Sequence, residues 1–481
     1  MTSTAKSLSD VLAAVPAGRV HRPGTSGYDA ACAGFDLAAI PVPHVAVSAA
    51  GEDDVVAAVR AAVTHGLPVA VRATGHGPVT GGDSSVLVDT RAMSAVTIDP
   101  ERRTATVGAG ATWRPVLAAA APLGLAPLCG SAPDVGAVSY TLGGGLGPLG
   151  RRYGWAADHV RRIRLVTASG KLLDVTADTE PDLFWALRGG GGNFGVVTEL
   201  EMDLLPVRGG HDLYGGGLYL PGEAAPELLA AFGRSTASAP DELSLSVAFV
   251  TFPDLDAVPP PLRGRFAAHL RVAHLGTAPE AEPLLAPLRA VADPLIDTVR
   301  PLPLTEIGTI HADPVMPQPV SCGSAVLPRW EDPAIDVLLA GVGAATPHML
   351  EVRHLGGALA RNAVPANAVG HRDARYSVFT SAYPGPTQAA AAALQTELYQ
   401  RLLPWSGGRC LYNFTARPDG GPADARAAFD EADYARLAAL KAVWDPGNTF
   451  RVNVNVTPAG AVDPTGRPGS SPPPRYERSR V

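Results

Sequence analysis

The stretch GSAPDVGAVSYTLGGGLGPLGRRYG, residues 130–154, decides how the rest of the chain is interpreted. Pro133 stiffens its start, while Gly136 and a later run of three glycines free the backbone to approach a flat ligand. Residues 145–150 satisfy the pattern GxGxxG, but a dinucleotide fingerprint has to open a helix. Pro148 and the strand-like residues that follow exclude that interpretation. The stretch therefore predicts a different ligand-binding loop or a purely structural one.

Two more glycine-rich segments each adjoin a predicted strand. VRATGHG, residues 71–77, follows an apolar run, and RGGGGNFGVVTEL, residues 188–200, runs directly into a strand. Glycine loops expose backbone N–H groups that can bind phosphate. His76 lies in such a loop without a bulky neighbour, although on its own it is more typical of a polar loop histidine. Three such loops favour one extended ligand with a pyrophosphate over three unrelated turns.

The C-terminal part has a fourth segment, residues 433–458, which reads DYARLAALKAVWDPGNTFRVNVNVTP. A helix is predicted at 433–443, followed by a turn and a strand. Asn453 and Asn455 share one face of that strand because side chains alternate with a period of two. Their amides can hydrogen-bond the polar edge of a ring; the alternative is a surface edge strand.

The periodicity along the chain predicts an α+β fold. Up to about residue 205, helices are predicted at Glu52–His65 and Trp113–Leu123, and strands at 68–73, 86–90, 96–99, 104–107, 160–168, 171–175 and 199–206. Beyond residue 206, strands are predicted at 244–251, 266–275 and 348–355, and helices at 280–292, 331–341 and 386–402. This second pattern indicates an antiparallel sheet covered by helices on one face.

Composition excludes several classes of protein. The chain has 481 residues, 46% of them hydrophobic and 18% charged, with 52 glycines, 46 prolines and a net charge of −7. These values exclude a disordered chain, a coiled coil and a collagen-like rod, and they disfavour binding to nucleic acid or to an anionic membrane. Four scattered cysteines (Cys32, Cys129, Cys322, Cys410) have no metal-ligand spacing and predict buried thiols. No signal peptide or membrane span is evident, so a cytoplasmic protein is expected. No sequence pattern indicates the oligomeric state.

Together the four segments resemble the berberine bridge enzyme-like flavoproteins of the vanillyl-alcohol oxidase/p-cresol methylhydroxylase superfamily. The resemblance spans about residues 40–457. It is carried by TGHG, APDVG, TLGGGLG, RRYGWAADHV, GGGGNFGVVTE, RLAALK and DPGNTFRVNVN. It implies a two-part FAD-binding domain of the p-cresol methylhydroxylase type and a substrate domain with an antiparallel sheet covered by helices. The implied divisions are a lead-in at 1–39, FAD-binding domain at 40–207, substrate domain at 208–408, C-terminal segment completing the FAD domain at 409–460, and disordered tail at 461–481.

The resemblance also implies which residues contact FAD. In the family, the histidine at the position of His76 is bonded to the flavin 8α-methyl group. The other residues implied to contact FAD are Arg72, Ala73, Thr74, Gly75, Gly77, Ala132, Pro133, Gly136, Thr141, Gly143, Gly144, Gly145, Val196, Val197, Asn453 and Asn455. Many members attach flavin a second time through a cysteine, where this chain has Ala132. A single histidyl link is therefore expected, and Cys129 is not expected to substitute.

The general base departs from the family pattern. Leu411 stands where members often have a catalytic tyrosine, and Tyr412 is shifted by one residue, which reverses the side-chain direction on a strand. The acidic base of some relatives would fall close to Tyr376-Ser377-Val378, and none of these three residues is a carboxylate. The candidate bases are Tyr412 first, then Tyr376 and Tyr140.

The resemblance implies an FAD-dependent oxidase. It would remove hydride from an alcohol, amine or phenolic centre of a small apolar metabolite, in secondary metabolism, with O2 as acceptor and H2O2 as product. Two alternatives remain open: a flavin dehydrogenase with a non-oxygen acceptor, and a flavoprotein that binds a quinone or drug and confers resistance. No motif within residues 208–405 identifies the substrate.

Overall fold

The computed structural model describes residues 12–77, 83–207, 213–319, 321–382, 388–415 and 424–461. Its α-helices are α1 Ser26–Cys32, α2 Glu52–Thr64, α3 Trp113–Ala120, α4 Ala137–Leu142, α5 Gly150–Tyr153, α6 Pro181–Leu187, α7 Ala225–Ala237, α8 Ala278–Arg289, α9 Asp332–Ala340, α10 Gln388–Ser406 and α11 Glu431–Trp444. Its strands are β1 Val20–His21, β2 Val45–Ser48, β3 Val69–Arg72, β4 Val86–Asp89, β5 Val96–Asp99, β6 Thr104–Gly108, β7 Leu125–Ala126, β8 Val160–Val166, β9 Leu172–Val175, β10 Val196–Asp203, β11 Leu205–Pro206, β12 Leu213–Pro221, β13 Leu243–Thr251, β14 Phe266–Leu275, β15 Ile296–Asp297, β16 Arg300–Pro301, β17 Ser321–Leu327, β18 His348–His354 and β19 Tyr376–Ala382. Apart from residue 461, the tail predicted to be disordered lies outside the described residues. None of the helices in these ranges has the length and apolar character needed to cross a membrane.

The first half of the molecule contains two larger sheets and the two-stranded sheet of β7 and β11. A four-stranded sheet has the order β1-β2-β4-β3, in which β2 pairs with β4 and β4 with β3 in parallel, while β1 is antiparallel to β2. Helix α2 begins with three acidic residues, which favour a helix N-terminus, and packs its buried alanines and valines on this sheet. A five-stranded antiparallel sheet has the order β5-β6-β10-β8-β9, and the predicted 96–107 hairpin is confirmed within it.

The stretch 130–154, predicted as a loop, contains two helices, α4 and the single-turn α5. Helix α4 occupies its centre, where Val138 and Leu142, four residues apart, pack on one side into the core. The glycines lie at the helix ends: Gly136 precedes the first turn, and Gly143 follows the last. A glycine count alone did not reveal this short amphipathic turn.

A large antiparallel sheet forms the second half. Its strand order is β15-β12-β14-β13-β18-β19-β17, with β16 also paired to β12. The predicted strands at 244–251, 266–275 and 348–355 are confirmed, whereas β12, β15, β16, β17 and β19 were not predicted. Apolar residues at alternate positions pack under helices α7 to α10, which cover one face as expected. The other face carries polar and aromatic side chains and points toward the first half of the molecule.

The predicted strand through Asn453 and Asn455 is wrong. Residues 451–457 have no ladder pairing. Their backbone is instead bound by the Asn193 side chain, whose amide nitrogen donates to the Val454 carbonyl (3.0 Å) and whose amide oxygen accepts from the Val456 N–H (2.9 Å). The segment is therefore irregular, because its hydrogen-bond partner is a side chain more than 250 residues away.

A buried ion pair fixes the start of this segment. Lys441 is fully buried, and its ammonium group donates to the carbonyls of Asn193 (2.6 Å) and Phe450 (3.0 Å) and to the Asp445 carboxylate (2.9 Å). Asp445 accepts in turn from the backbone N–H groups of Thr449 and Phe450. Burial lowers the pKa of Lys441 to about 8 while Asp445 opposes the shift, so the amine stays charged at neutral pH.

Replacing Lys441 with methionine should lower the free energy of unfolding by about 3–5 kcal/mol, because Asp445 would be left as an unpaired buried charge. Denaturation followed by fluorescence measures the change. Lys171→Met, at an exposed lysine, is the matched control and should change stability by less than about 0.5 kcal/mol. Equal effects of the two substitutions would contradict the structural role of the buried pair.

Candidate functional site

A cavity of 530 Å³ lies between the glycine loops and the polar face of the large sheet. Its volume lies within the range of about 300–1,000 Å³ typical of ligand sites. The predicted cofactor residues that line it are Arg72, Ala73, Thr74, Gly75, His76, Gly77, Ala132, Val196, Val197 and Asn453. Segments that are distant in sequence thus converge on one space.

The loop after β3 comes unusually close to the N-terminal lead-in. Gly75 has a φ of +71°, and a Cβ atom on it would stand 2.8 Å from the Gly34 Cα atom. The Arg72 guanidinium is buried and donates to the carbonyls of Cys32 and Ala39. Arg72 therefore holds the loop against residues 32–39. The N–H groups that bind the two carbonyls point into the protein.

His76 is held in the cavity with a defined orientation. Its ring stacks on Phe35 with centroids 4.1 Å apart, and its Nδ1 atom lies 2.8 Å from the Thr74 hydroxyl oxygen. Burial lowers the pKa of His76 to about 4, against an opposing effect of Asp134 and Asp313. The imidazole is therefore neutral at physiological pH, and one of its two ring nitrogens has a lone pair.

Several predicted cofactor residues do not line the cavity. They are Pro133, Gly136, Thr141, Gly143, Gly144, Gly145 and Asn455, and among them Gly143 and Gly145 allow other segments to pack closely. Gly143 shows the effect most clearly, because a Cβ atom there would fall 1.9 Å from the Asn413 side-chain oxygen. The sequence identified this region as important but could not separate lining residues from packing residues.

The loop around Gly191 and the C-terminal segment form the remaining edge. Gly191 has a φ of +67°, and a Cβ atom there would fall 2.0 Å from the Tyr412 hydroxyl oxygen. The Asn453 amide nitrogen donates to the Gly192 and Phe450 carbonyls, at 3.1 Å each. Its amide oxygen is buried and has no partner within the described part of the chain. This oxygen is free to accept a hydrogen bond from a ring N–H.

The three candidate tyrosines have different surroundings. Tyr376 lies outside the cavity, because it shares the helix-covered face of β19 with Val378, and its hydroxyl contacts Thr236 (2.9 Å). Tyr140 lines the cavity, but its backbone is bonded to Asn413 and burial raises the pKa of its hydroxyl. We therefore drop Tyr376 as a candidate base.

Tyr412 lines the cavity but is committed to a structural contact. It begins a short 3-10 helix, Tyr412–Phe414, so the prediction of its direction from a strand is wrong. Its hydroxyl donates to the Val454 carbonyl (3.3 Å) and lies 3.4 Å from the Asn193 amide nitrogen. Burial raises its pKa, which disfavours the phenolate needed of a base.

A charged cluster on the polar face of the large sheet was missed by sequence analysis. Arg271 on β14 and Arg353 on β18 both pair with Ser246 of the strand between them, and His269 and Glu351 both pair with Ala248. Small residues on the middle strand thus leave room for large side chains on both sides. In the sequence, the cluster is visible as charged residues at alternate positions of otherwise apolar strands.

Glu351 is the centre of this cluster. Its carboxylate lies 2.9 Å from Arg271, 3.0 Å from Arg353 and 3.5 Å from His311. Burial alone would raise the pKa of Glu351, but Arg353 and Arg271 outweigh it and hold the pKa well below its usual value. Burial and the neighbouring arginines lower the pKa of His269 and His311, so both imidazoles are neutral.

These features fit an extended dinucleotide with a ring system. Backbone at Gly75 and Gly191 lies where no side chain is tolerated, Asn453 offers an unpaired acceptor, and His76 offers a neutral imidazole. Within the described ranges, no group of side chains is arranged to hold a metal ion.

Comparison with known proteins agrees with this fit. A family model described as an FAD binding domain matches residues 43–176, and one described as berberine and berberine like matches residues 422–457. (R)-6-hydroxynicotine oxidase of Paenarthrobacter nicotinovorans is 28% identical over 463 residues, which cover 92% of this chain and 97% of that protein.

Two solved structures have the same mixed helix-and-sheet fold. The crystal structure of 6-hydroxy-D-nicotine oxidase from Arthrobacter nicotinovorans matches with a TM-score of 0.79 and 26% identity, covering 92% of this chain and 99% of that one. The berberine bridge enzyme-like protein 1 of Physcomitrella patens matches with a TM-score of 0.78 and 22% identity, covering 92% and 98%.

Proposed function

Because the chain belongs to the berberine bridge enzyme-like flavoproteins of the vanillyl-alcohol oxidase superfamily, and is an FAD-dependent oxidoreductase, we propose that it is an oxidase of a small metabolite. It would take hydride from an alcohol, amine or phenolic centre, with O2 as acceptor and H2O2 as product. The observation that supports this most is one cavity in which a glycine-rich wall carrying His76 faces a charged sheet wall.

In the proposed reaction each of the two walls has a different role. The glycine wall would hold FAD and belongs to the proposed FAD-binding domain, residues 40–207 together with 409–460. The sheet wall belongs to the proposed substrate domain, residues 208–408. FAD when bound supplies the hydride acceptor. The chain's own groups bind and orient the substrate, exclude water and take up a proton.

A single covalent link through His76 is part of the proposal. A neutral imidazole has the lone pair that bond formation with the flavin 8α-methyl group needs. Ala132 lines the cavity at the place where relatives have a second attachment residue, and it has no nucleophile. Cys129 is buried outside the cavity, and burial raises the pKa of its thiol to about 12, which keeps it protonated.

The wild-type protein, denatured in acid and run on a gel, should keep flavin fluorescence on the polypeptide. His76→Ala should release all of its flavin, whereas the matched control His44→Ala, at an exposed histidine, should retain it. Attachment to the apoprotein should proceed as well at pH 5.5 as at pH 8, because both lie above the His76 pKa of about 4. Free flavin from the wild type would contradict the link.

His311 is the group best placed to take the substrate proton. Its Nε2 atom faces the Glu351 carboxylate at 3.5 Å, a charge contact longer than a hydrogen bond, which favours the tautomer with the hydrogen on Nε2 and the lone pair on Nδ1. Nδ1 has no partner among the described residues, and His311 lines the cavity. His269 is less suitable because its Nδ1 atom accepts from Arg271 (3.3 Å), which leaves Nε2 as a donor. A carboxylate that orients a neutral imidazole is a common arrangement for a general base.

On the best substrate in an alcohol and amine library, His311→Gln should lower kcat at least about a hundredfold while FAD content stays constant. Tyr412→Phe should lower kcat less than about tenfold, because the Tyr412 hydroxyl donates a hydrogen bond to the Val454 carbonyl and so has a structural role. His44→Gln is the surface control. A larger loss in Tyr412→Phe than in His311→Gln would return the role of base to Tyr412.

Oxygen as acceptor is tested by stopped-flow mixing. Protein reduced with dithionite without oxygen should regain its yellow absorbance faster with air-saturated buffer than with a benzoquinone in anaerobic buffer. One H2O2 should form per flavin. Recovery with the quinone alone would favour the dehydrogenase alternative, and binding of quinones without any turnover would favour the resistance alternative.

A further inference from the structure

The charged cluster on the sheet wall has more positive charge than it needs for its own structure. Arg271 and Arg353 share the single carboxylate of Glu351, and both neighbouring histidines are neutral. The cluster therefore carries a net charge of +1 in a partly enclosed space. The other described carboxylate that lines the cavity, Asp313, is half-buried; its charge helps to raise the pKa of Arg353, but it forms no ion pair within the described residues.

Arg353 carries the positive charge that the Glu351 carboxylate does not balance. Its Nη2 group donates to Glu351, whereas its Nε and Nη1 groups have no partner in the part of the chain that the structure describes. Its side chain lines the cavity and retains 15% exposure, compared with 4% for Glu351. A planar guanidinium with free N–H groups is suited to a planar carboxylate.

The position of Arg353 is built into the sheet. Glu351 holds Nη2, while Arg271 lies in the same cross-strand row and keeps Glu351 ionised. A fixed, desolvated arginine binds an anion at a lower entropy cost than a free surface arginine. This arrangement is that of a built anion site.

The surroundings of Arg353 define the rest of the ligand. The wall around the cluster is mainly aromatic and aliphatic, with Tyr219, Val250, Phe252, Met349, Phe379 and Phe414. Such a wall stabilises an apolar body by burial and offers it few hydrogen bonds. A ligand that satisfies both features has one anionic group and an apolar, flat or branched body.

We propose that the substrate is a small apolar carboxylic acid whose carboxylate is bound by Arg353, with Glu351 and Arg271 as positioning residues. This inference rests on the proposed function, because it takes the occupant of the sheet wall to be the substrate of the oxidase. It narrows the substrate class from small apolar metabolites to anionic ones.

The test compares acids with matched neutral amides on the holoenzyme by titration calorimetry. The pairs are benzoate with benzamide and phenylacetate with phenylacetamide. Each acid should bind about ten- to a hundredfold more tightly than its amide, because a hydrogen-bonded charge is exchanged for a neutral group. Arg353→Met should abolish the difference, Arg353→Lys should keep part of it, and Arg263→Met, at a surface arginine paired with Asp256, should keep all of it.

Three outcomes would overturn the inference. Acids and amides could bind wild type equally, a result that does not depend on any variant folding. Arg353→Met could fold and keep the preference for acids. Arg353→Met could also fold and lose FAD, measured as flavin per polypeptide, which would assign the guanidinium to the cofactor. Acid binding without reoxidation in air would instead contradict the oxidase proposal and leave the anion site in place.

Discussion

The buried Lys441–Asp445 ion pair is the interaction on which the cavity depends. An ammonium group has three N–H donors, and here all three meet acceptors: Asp445 and the carbonyls of Asn193 and Phe450. Because a buried charge is stable only when fully paired, the C-terminal segment can take only the path that brings Phe450 and Asn193 together. That path places Asn453 and Val454 in the lining of the cavity.

The same space has two chemically different walls. One is mostly backbone, because Gly75 and Gly191 occupy positions where a Cβ atom would collide with Gly34 or with Tyr412. The other is a sheet face that carries two guanidinium groups, one carboxylate and two neutral imidazoles. Backbone that approaches closely suits a large cofactor of fixed structure, whereas charged side chains on a rigid sheet suit selection among small substrates. The glycine-rich wall is built from local glycine motifs, which suggested a cofactor from the sequence. The charged sheet wall is built from single residues on separate strands, which form no motif for a substrate.

The sequence predicts elements whose pattern is local. Helix 52–64 and strand 266–275 were predicted within a residue, because their periodicity depends on neighbours in the chain. The prediction of a strand at Asn453 was wrong because this segment is hydrogen-bonded to the Asn193 side chain. The predicted direction of the Tyr412 side chain was wrong because that residue lies in a 3-10 helix. His76 was selected as a candidate through its glycine loop, and it lines the cavity. Glu351 and Arg353 were visible as alternate charges, but whether their face meets a helix layer or a cavity depends on packing between distant segments.

The central claim is that FAD lies between these two walls and is bonded to His76. A crystal structure of the yellow protein as purified tests it most directly. Continuous electron density from the His76 imidazole to a ring system, with Asn453 at one edge of that ring and the Arg353 cluster on the opposite wall, is the predicted result. A flavin bound elsewhere, or one in this cavity with no density joining it to His76, would contradict the account.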